Sequence, residues 1–117
     1  MRPILPINKS EILKRYKPIN PNTHKGIQGH ALLIGGSYGK IGAISLASKA
    51  CLKTGCGLVS VFVPRCGYKI IQTAVPEVMV LNDVSVKYIT RIVFDFVPNA
   101  IGIGPGMGQD IETHTAL

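Results

Sequence analysis

A short apolar run that breaks into glycines limits the possible folds of this chain more than any other feature. Residues 30–34 read as a fully buried strand, and residues 35–40 form a turn rich in glycine. An apolar helix follows, with Gly42 and Ala43 at its start. Such a turn lets backbone N–H groups approach a phosphate or another anionic ligand. This layout is typical of the ligand-binding edge of a parallel α/β sheet.

A second glycine-rich turn follows another apolar run, the predicted strand at residues 100–103. Gly104, Gly106 and Gly108 alternate in this turn, and Pro105 fixes one φ angle. Three glycines within five residues cost backbone entropy on folding, so we expect a ligand to approach the backbone here. Two such turns after two apolar strands predict one ligand crevice along the strand ends.

Strand and helix patterns alternate along the chain, which predicts a mostly parallel sheet. We divide the chain into an N-terminal arm, residues 1–23, and part of an α/β domain, residues 24–117. In the arm, Ser10 should cap a short helix over residues 11–16. A second helix should start at residue 41 and end at Gly55 and Gly57, and the small side chains of Ala43, Ala47 and Ala50 should let it pack closely on the sheet. The other predicted elements are strands at 58–63 and 78–81, helices at 67–74 and 84–94, and a last helix capped by Asp110.

The composition favours a protein with a buried core over a nucleic-acid or membrane protein. Hydrophobic residues make up 46% of the chain and charged residues 16%, which suits strands covered on both faces. The net charge of +7 fits a solvated arm or a phosphorylated small-molecule ligand, because no nucleic-acid motif accompanies it. No apolar run approaches the about 20 residues of a membrane span.

The three cysteines include no Cys-x-x-Cys pair, so neither a disulfide framework nor a zinc site is indicated. We expect reduced, buried thiols in a cytoplasmic protein, since the proline-broken start does not read as a signal peptide. His24, His30 and His114 show no metal-ligand spacing, and no metal site is predicted.

The glycine turns match none of the common catalytic or phosphate-binding motifs. The first turn is no Walker A loop, because Ile41 follows Lys40, and it lacks the dinucleotide fingerprint. No general base stands out, so no catalytic residue is assigned. Glu77 could pair with a ligand or form a structural salt bridge, and His24 could contact an anion or stabilise its loop.

Six segments in order carry a resemblance to one family. They are His24-Lys25-Gly26, Leu33-Ile34-Gly35-Gly36-Ser37, Gly42-Ala43, Lys53-Thr54-Gly55-Cys56-Gly57-Leu58-Val59, Pro76-Glu77 and Ile103-Gly104-Pro105-Gly106-Met107-Gly108. Together they resemble the ADP/ATP-dependent NAD(P)H-hydrate dehydratases of the ribokinase-like superfamily, over residues 24 to about 112. The resemblance implies a three-layer α/β fold, with a mostly parallel sheet and helices on both faces, that is incomplete in this chain.

The resemblance also implies a function, that of a hydro-lyase that repairs hydrated NADH and NADPH. Such enzymes phosphorylate the ring hydroxyl with ADP or ATP and Mg²⁺, and phosphate then leaves. By position, Ala43 and Gly106 are the implied substrate contacts, with Gly36, Ser37, Gly42 and Gly108 as neighbours. The family further suggests a homo-oligomer with a small-molecule substrate and neither a nucleic-acid nor a membrane partner.

The chain departs from the family in length and in its acidic residues. Family members are at least about twice as long, and their catalytic Asp follows a Gly-x-Gly-like motif in the latter half. None of the acids here, Glu11, Glu77, Asp83, Asp95, Asp110 and Glu112, is preceded by glycine. We therefore expect an N-terminal fragment that holds part of the substrate site and is inactive alone.

Two other functions remain open at the level of sequence. A non-catalytic module that binds a nucleotide would also have two glycine turns, and it would not require a general base. A sugar or hydroxymethylpyrimidine kinase of the same superfamily would share the fold and would release a stable phosphate ester.

Overall fold

The architecture is seen in a computed structural model that describes residues 2–18, 20–22, 24 and 28–117. Lys25 and Gly26 of the first matching segment lie outside these residues. The described residues form one parallel four-stranded sheet in the order β3-β2-β1-β4. The strands are β1 (His30–Ile34), β2 (Leu58–Val63), β3 (Met79–Asn82) and β4 (Ala100–Ile103). The predicted parallel sheet is confirmed, and only β3 is displaced, by one residue.

The helices connect or flank these strands. They are α1 (Lys9–Arg15), α2 (Gly42–Lys53), α3 (Tyr68–Ala74), which a 3-10 turn at Arg65–Gly67 precedes, and α4 (Ile111–Ala116). Asp110 caps α4 as predicted, because its side chain accepts a hydrogen bond from the Glu112 N–H. None of the helices formed by the described residues has the length and apolarity that crossing a bilayer requires.

One face of the sheet is covered by α2 and α3. Alternate residues of β2, among them Val59, Val61 and Val63, point to this face because side chains along a strand alternate between its two faces. Ile44 of α2 and Ile71 of α3 are fully buried against them. This cluster fixes the position of α2, whose first residues lie beside the first glycine turn.

The opposite face carries a second cluster around Leu32, Ile34 and Phe62. Irregular chain at residues 92–96, Ile89 before it and Ala116 of α4 cover these side chains. Phe96 stacks on His30 with 4.5 Å between ring centroids, so this segment runs back to the start of β1.

The helix predicted over residues 84–94 is wrong, because this segment contains no helix. Residues 84–91, which we call the crossing loop, instead pass over the ends of β2 and β1. Their backbone carbonyls accept hydrogen bonds from Arg65, Cys66 and Tyr38. The apolar spacing reflects burial of Ile89 and Ile92 against the second cluster rather than one face of a helix.

Two smaller predictions about helices also need correction. The cap of α1 is Asn8, whose side chain accepts from the Glu11 N–H, and not Ser10, which lies inside the helix. In α2, Ala43 and Ala50 are exposed, so the alanines do not form the face that packs on the sheet. Ile44 and Ser48 are the buried residues of that helix.

Candidate functional site

The two glycine turns lie side by side at the carboxyl edge of the sheet. β1 and β4 are hydrogen-bonded neighbours, and Ile34 pairs with Ile103 in the register. The first glycine turn (residues 35–40) and the second (residues 104–108) therefore leave the sheet at the same level. The two turns are therefore neighbours, and the predicted ligand crevice along these strand ends stays a prediction.

The turns contact each other directly. The Gly36 N–H donates to the Pro105 carbonyl at 2.7 Å, and the Ser37 hydroxyl donates to the Gly106 carbonyl at 2.7 Å. A Cβ atom on Gly106 would overlap the Lys40 carbonyl oxygen, and its φ is +68°. Protein backbone is thus one close neighbour that requires glycine at position 106, and the ligand expected at this turn stays a prediction.

The six residues implied by the resemblance divide into a buried layer and an exposed layer. Gly36 and Ser37 are buried where the two turns meet, and Gly106 is half-buried. Gly42, Ala43 and Gly108 are exposed. A ligand at this edge would therefore meet the exposed layer first, and the buried pair would hold the two turns together.

The start of α2 offers backbone donors. Ile41 precedes the helix, and among the described residues no side-chain cap hydrogen bond forms at this end of α2. In an α-helix these groups have no partner within the helix, and they carry the positive end of its dipole. Since Gly42 and Ala43 are exposed, these donors can bind an anionic group.

The crossing loop is a further segment at this edge of the sheet, and the sequence analysis did not predict it. Arg65 N–H donates to the Ser85 carbonyl at 2.9 Å, and Tyr38 N–H donates to the Lys87 carbonyl at 2.8 Å. The loop is therefore attached to the residues that follow β2 and to the first glycine turn. Asp83, directly after β3, is the one sequence signal that could have indicated a turn rather than a helix.

Asp83 organises the crossing loop from a buried position. Its carboxylate accepts hydrogen bonds from the backbone N–H groups of Ser85, Thr90 and Arg91 and from the Thr90 hydroxyl. Burial alone would raise the pKa of Asp83, but the hydrogen bonds outweigh it and the pKa lies below its ordinary value. Asp83 is therefore a charged structural centre and no general base.

Of the remaining titratable candidates, Glu77 and His30 lie at the opposite edge of the sheet, and Cys66 follows β2 at this edge. Glu77 is exposed in the connection that leads into the start of β3, at the opposite edge of the sheet. His30 begins β1, also at that edge, where its Nε2 lies 2.8 Å from the Ser60 hydroxyl oxygen. Burial raises the pKa of the Cys66 thiol, so it is no thiolate nucleophile near neutral pH.

The described residues contain no group of three or more His, Cys, Asp or Glu side chains that could hold a metal ion. Near the two turns, Asp83 is occupied by backbone donors, and Asp110 caps α4. These residues do not fit a magnesium site, so we assign none of them to Mg²⁺.

Comparisons with known proteins find one consistent family. The profile of the NAD(P)H-hydrate dehydratase family, Carb_kinase, matches residues 31–117. The chain is 35% identical over 111 residues to the ADP-dependent (S)-NAD(P)H-hydrate dehydratase of Staphylococcus aureus. It is 37% identical over 93 residues to the bifunctional NAD(P)H-hydrate repair enzyme Nnr of Escherichia coli.

A solved structure shows the same fold. It is the ADP/ATP-dependent NAD(P)H-hydrate dehydratase of Bacillus subtilis, co-crystallised with ATP and Mg²⁺, which aligns with a TM-score of 0.75 at 24% identity. The alignment covers 93% of this chain and 39% of the Bacillus chain. The match covers 95% of this chain but 38% of the Staphylococcus protein, and 80% of this chain but 18% of the Escherichia protein. A ribokinase-like superfamily protein of Enterococcus faecalis also aligns, with a TM-score of 0.73 at 24% identity, so the fold is ribokinase-like. The chain spans less than half the length of these relatives.

Proposed function

The chain belongs to the NAD(P)H-hydrate dehydratase family, and we propose that it supplies the substrate-binding part of an ADP- or ATP-dependent NAD(P)H-hydrate dehydratase. The observation that carries this proposal is the contact between the two glycine turns at the carboxyl edge. Both turns belong to segments that resemble the family, and they meet next to the first turn of α2, which has no side-chain cap.

The reaction is a carbon–oxygen lyase step on the hydrated dihydropyridine ring. ADP or ATP with Mg²⁺ supplies the phosphoryl group that turns the ring hydroxyl into a phosphate, a better leaving group than hydroxide. This chain's own part is to bind and orient the hydrate.

We assign the contacts in two layers. Ala43 and Gly106 touch the hydrated dinucleotide, with Gly42 and Gly108 beside them, and Gly36 and Ser37 hold the turns in register. Ala43 is exposed at the first turn of α2, where a larger side chain would collide with the ligand. The first-turn N–H groups of α2 would receive an anionic group of the ligand.

The chain alone should lack the lyase activity. No acidic residue follows a glycine in this sequence, so the Asp that the family uses for phosphoryl transfer has no counterpart. We further propose a cytoplasmic location and a homo-oligomeric assembly, in line with the family resemblance. The division into an arm, residues 1–23, and a domain, residues 24–117, stays a prediction.

Calorimetric titration of the full chain with NADPH hydrate, and separately with NADPH, tests the proposal. We expect the hydrate to bind more tightly than NADPH, and no recovery of NADPH absorbance when ATP and Mg²⁺ are added. Failure of the hydrate to bind would contradict the binding role, and recovery of absorbance would contradict the lack of activity.

A further inference from the structure

The first glycine turn carries an exposed aromatic ring that the family motifs do not explain. Tyr38 is 64% exposed, although the residues just before it, Gly35 to Ser37, are buried. The ammonium group of Lys87 lies 5.3 Å from the centre of its ring. The two side chains thus form a small cationic and aromatic surface beside the two turns.

The backbone holds this pair in place. Tyr38 N–H donates to the Lys87 carbonyl at 2.8 Å, and Lys40 N–H donates to the Ser37 carbonyl at 2.8 Å. Lys87 lies in the crossing loop, which Asp83 fixes through backbone donors on both sides of it. Because the backbone is fixed at both residues, a ligand that contacts these side chains would cost little conformational entropy beyond that of the two side chains.

The charge of this surface is not neutralised by neighbouring acids. Lys40 and Lys87 are exposed. The Cβ atom of Lys40 lies 3.5 Å from the position that a Cβ atom on Gly106 would occupy, so this lysine is close to the second glycine turn. In the part of the chain that the structure describes, the ion pairs join Glu11 to Lys14 and Arg15. Both lysines are therefore available to an anion.

We propose that Tyr38 and Lys87 form a subsite for an adenine nucleotide, with the base stacked on the Tyr38 ring and a phosphate beside Lys87. An aromatic ring stacks on any base, and an exposed ammonium group attracts a phosphate. The inference rests on the proposed function, because two ligands there contain an adenine nucleotide. One is the adenylate half of the hydrated dinucleotide, and the other is ADP or ATP.

Titration of the full chain with AMP tests the subsite. Stacking on an aromatic side chain predicts about tenfold weaker binding of AMP to Tyr38→Leu, while Tyr38→Phe retains the ring and the wild-type affinity. Lys87→Gln should weaken AMP binding about threefold and leave adenosine binding unchanged, since adenosine has no phosphate. Tyr16→Leu at the C-terminal cap of α1 and Lys53→Gln at the far end of α2 make the same chemical changes elsewhere and should have no effect.

The two sources of the nucleotide are separated by titrating wild type and Tyr38→Leu with NADPH hydrate and with ATP. The ligand whose affinity falls in Tyr38→Leu occupies the subsite. If hydrate, ATP and AMP all bind both proteins equally, the subsite is wrong while the proposed function stands. If AMP binding depends on Tyr38 but hydrate does not bind at all, the subsite stands and the proposed function is wrong. If the wild type binds none of the three, both are wrong.

Discussion

The hydroxyl of Ser37 donates a 2.7 Å hydrogen bond to the carbonyl oxygen of Gly106, and this bond joins two turns that lie 69 residues apart in sequence. Ser37 is 2% exposed, so water cannot replace the bond without movement of the turns. The bond belongs to the protein rather than to a ligand site, and it makes the two turns one unit.

Ser37→Ala should therefore lower the free energy of unfolding by about 1 kcal/mol, since it leaves the Gly106 carbonyl without its donor. Urea denaturation followed by circular dichroism measures the change. Ser45→Ala is the matched control, because the Ser45 hydroxyl bonds only to the Ile41 carbonyl within its own helix. Equal effects of the two substitutions would mean that the Ser37 bond does not hold the turns together.

Gly106→Ala should destabilise the protein more than Gly39→Ala. Both glycines have positive φ, +68° at Gly106 and +82° at Gly39, so each alanine costs about 1–2 kcal/mol of backbone strain. A Cβ at Gly106 would in addition overlap the Lys40 carbonyl, whereas nothing lies within 4 Å of a Cβ at Gly39. Thermal unfolding of the two variants gives the comparison, and a Gly39→Ala variant that is the less stable would contradict the turn packing.

Asp83→Asn should change how stability depends on pH. The pKa of Asp83 is lowered in the folded state, so its stabilisation is present above the ordinary value of 3.8 and is lost as pH falls below it. At neutral pH the variant should be less stable than wild type by about 1–3 kcal/mol, because a buried acceptor is replaced by a donor. On acidification below 3.8 the difference should shrink. Urea denaturation across this range measures it, and a constant difference would contradict the assigned charge.

We expect copies of the protein to associate through the outer strand β4. Ile101 and Ile103 are each half exposed on a strand whose second edge is unpaired among the described residues. An unpaired apolar edge favours pairing with another chain, and a lysine placed on it opposes such pairing. Light scattering should show larger species for wild type than for Ile101→Lys, while Val97→Lys, outside the strand, should behave as wild type. A wild-type protein that stays monomeric would contradict this use of the edge.

The strands were the part of the fold most accessible from sequence. β1 and β2 were predicted with their observed bounds, because both are mostly apolar runs that stop at glycine or proline. The carboxyl edge then followed from the position of the turns in a parallel sheet. Helix α1 was harder, since Asn8 and Ser10 are both good caps and only the structure shows which side chain accepts a bond.

The crossing loop was not accessible from spacing alone. Its apolar residues recur at helical intervals, but Asp83 binds three backbone N–H groups of the loop and thereby favours a turn over a helix. Such side-chain bonds to the local backbone compete with helix formation. The site was likewise predicted only in part, because Gly106 contacts Lys40 through a pairing of β1 with β4 that sequence distance does not reveal.

The affinity for NADPH hydrate of Ala43→Leu, compared with that of Ala50→Leu, tests the central claim most directly. Both alanines are exposed on α2, one in its first turn beside the glycine turns and one in its last turns. We predict at least about tenfold weaker binding for Ala43→Leu, or 1.4 kcal/mol, with wild-type affinity for Ala50→Leu and wild-type melting temperature for both. Unchanged hydrate affinity in Ala43→Leu would contradict the claim that the substrate lies at the start of α2.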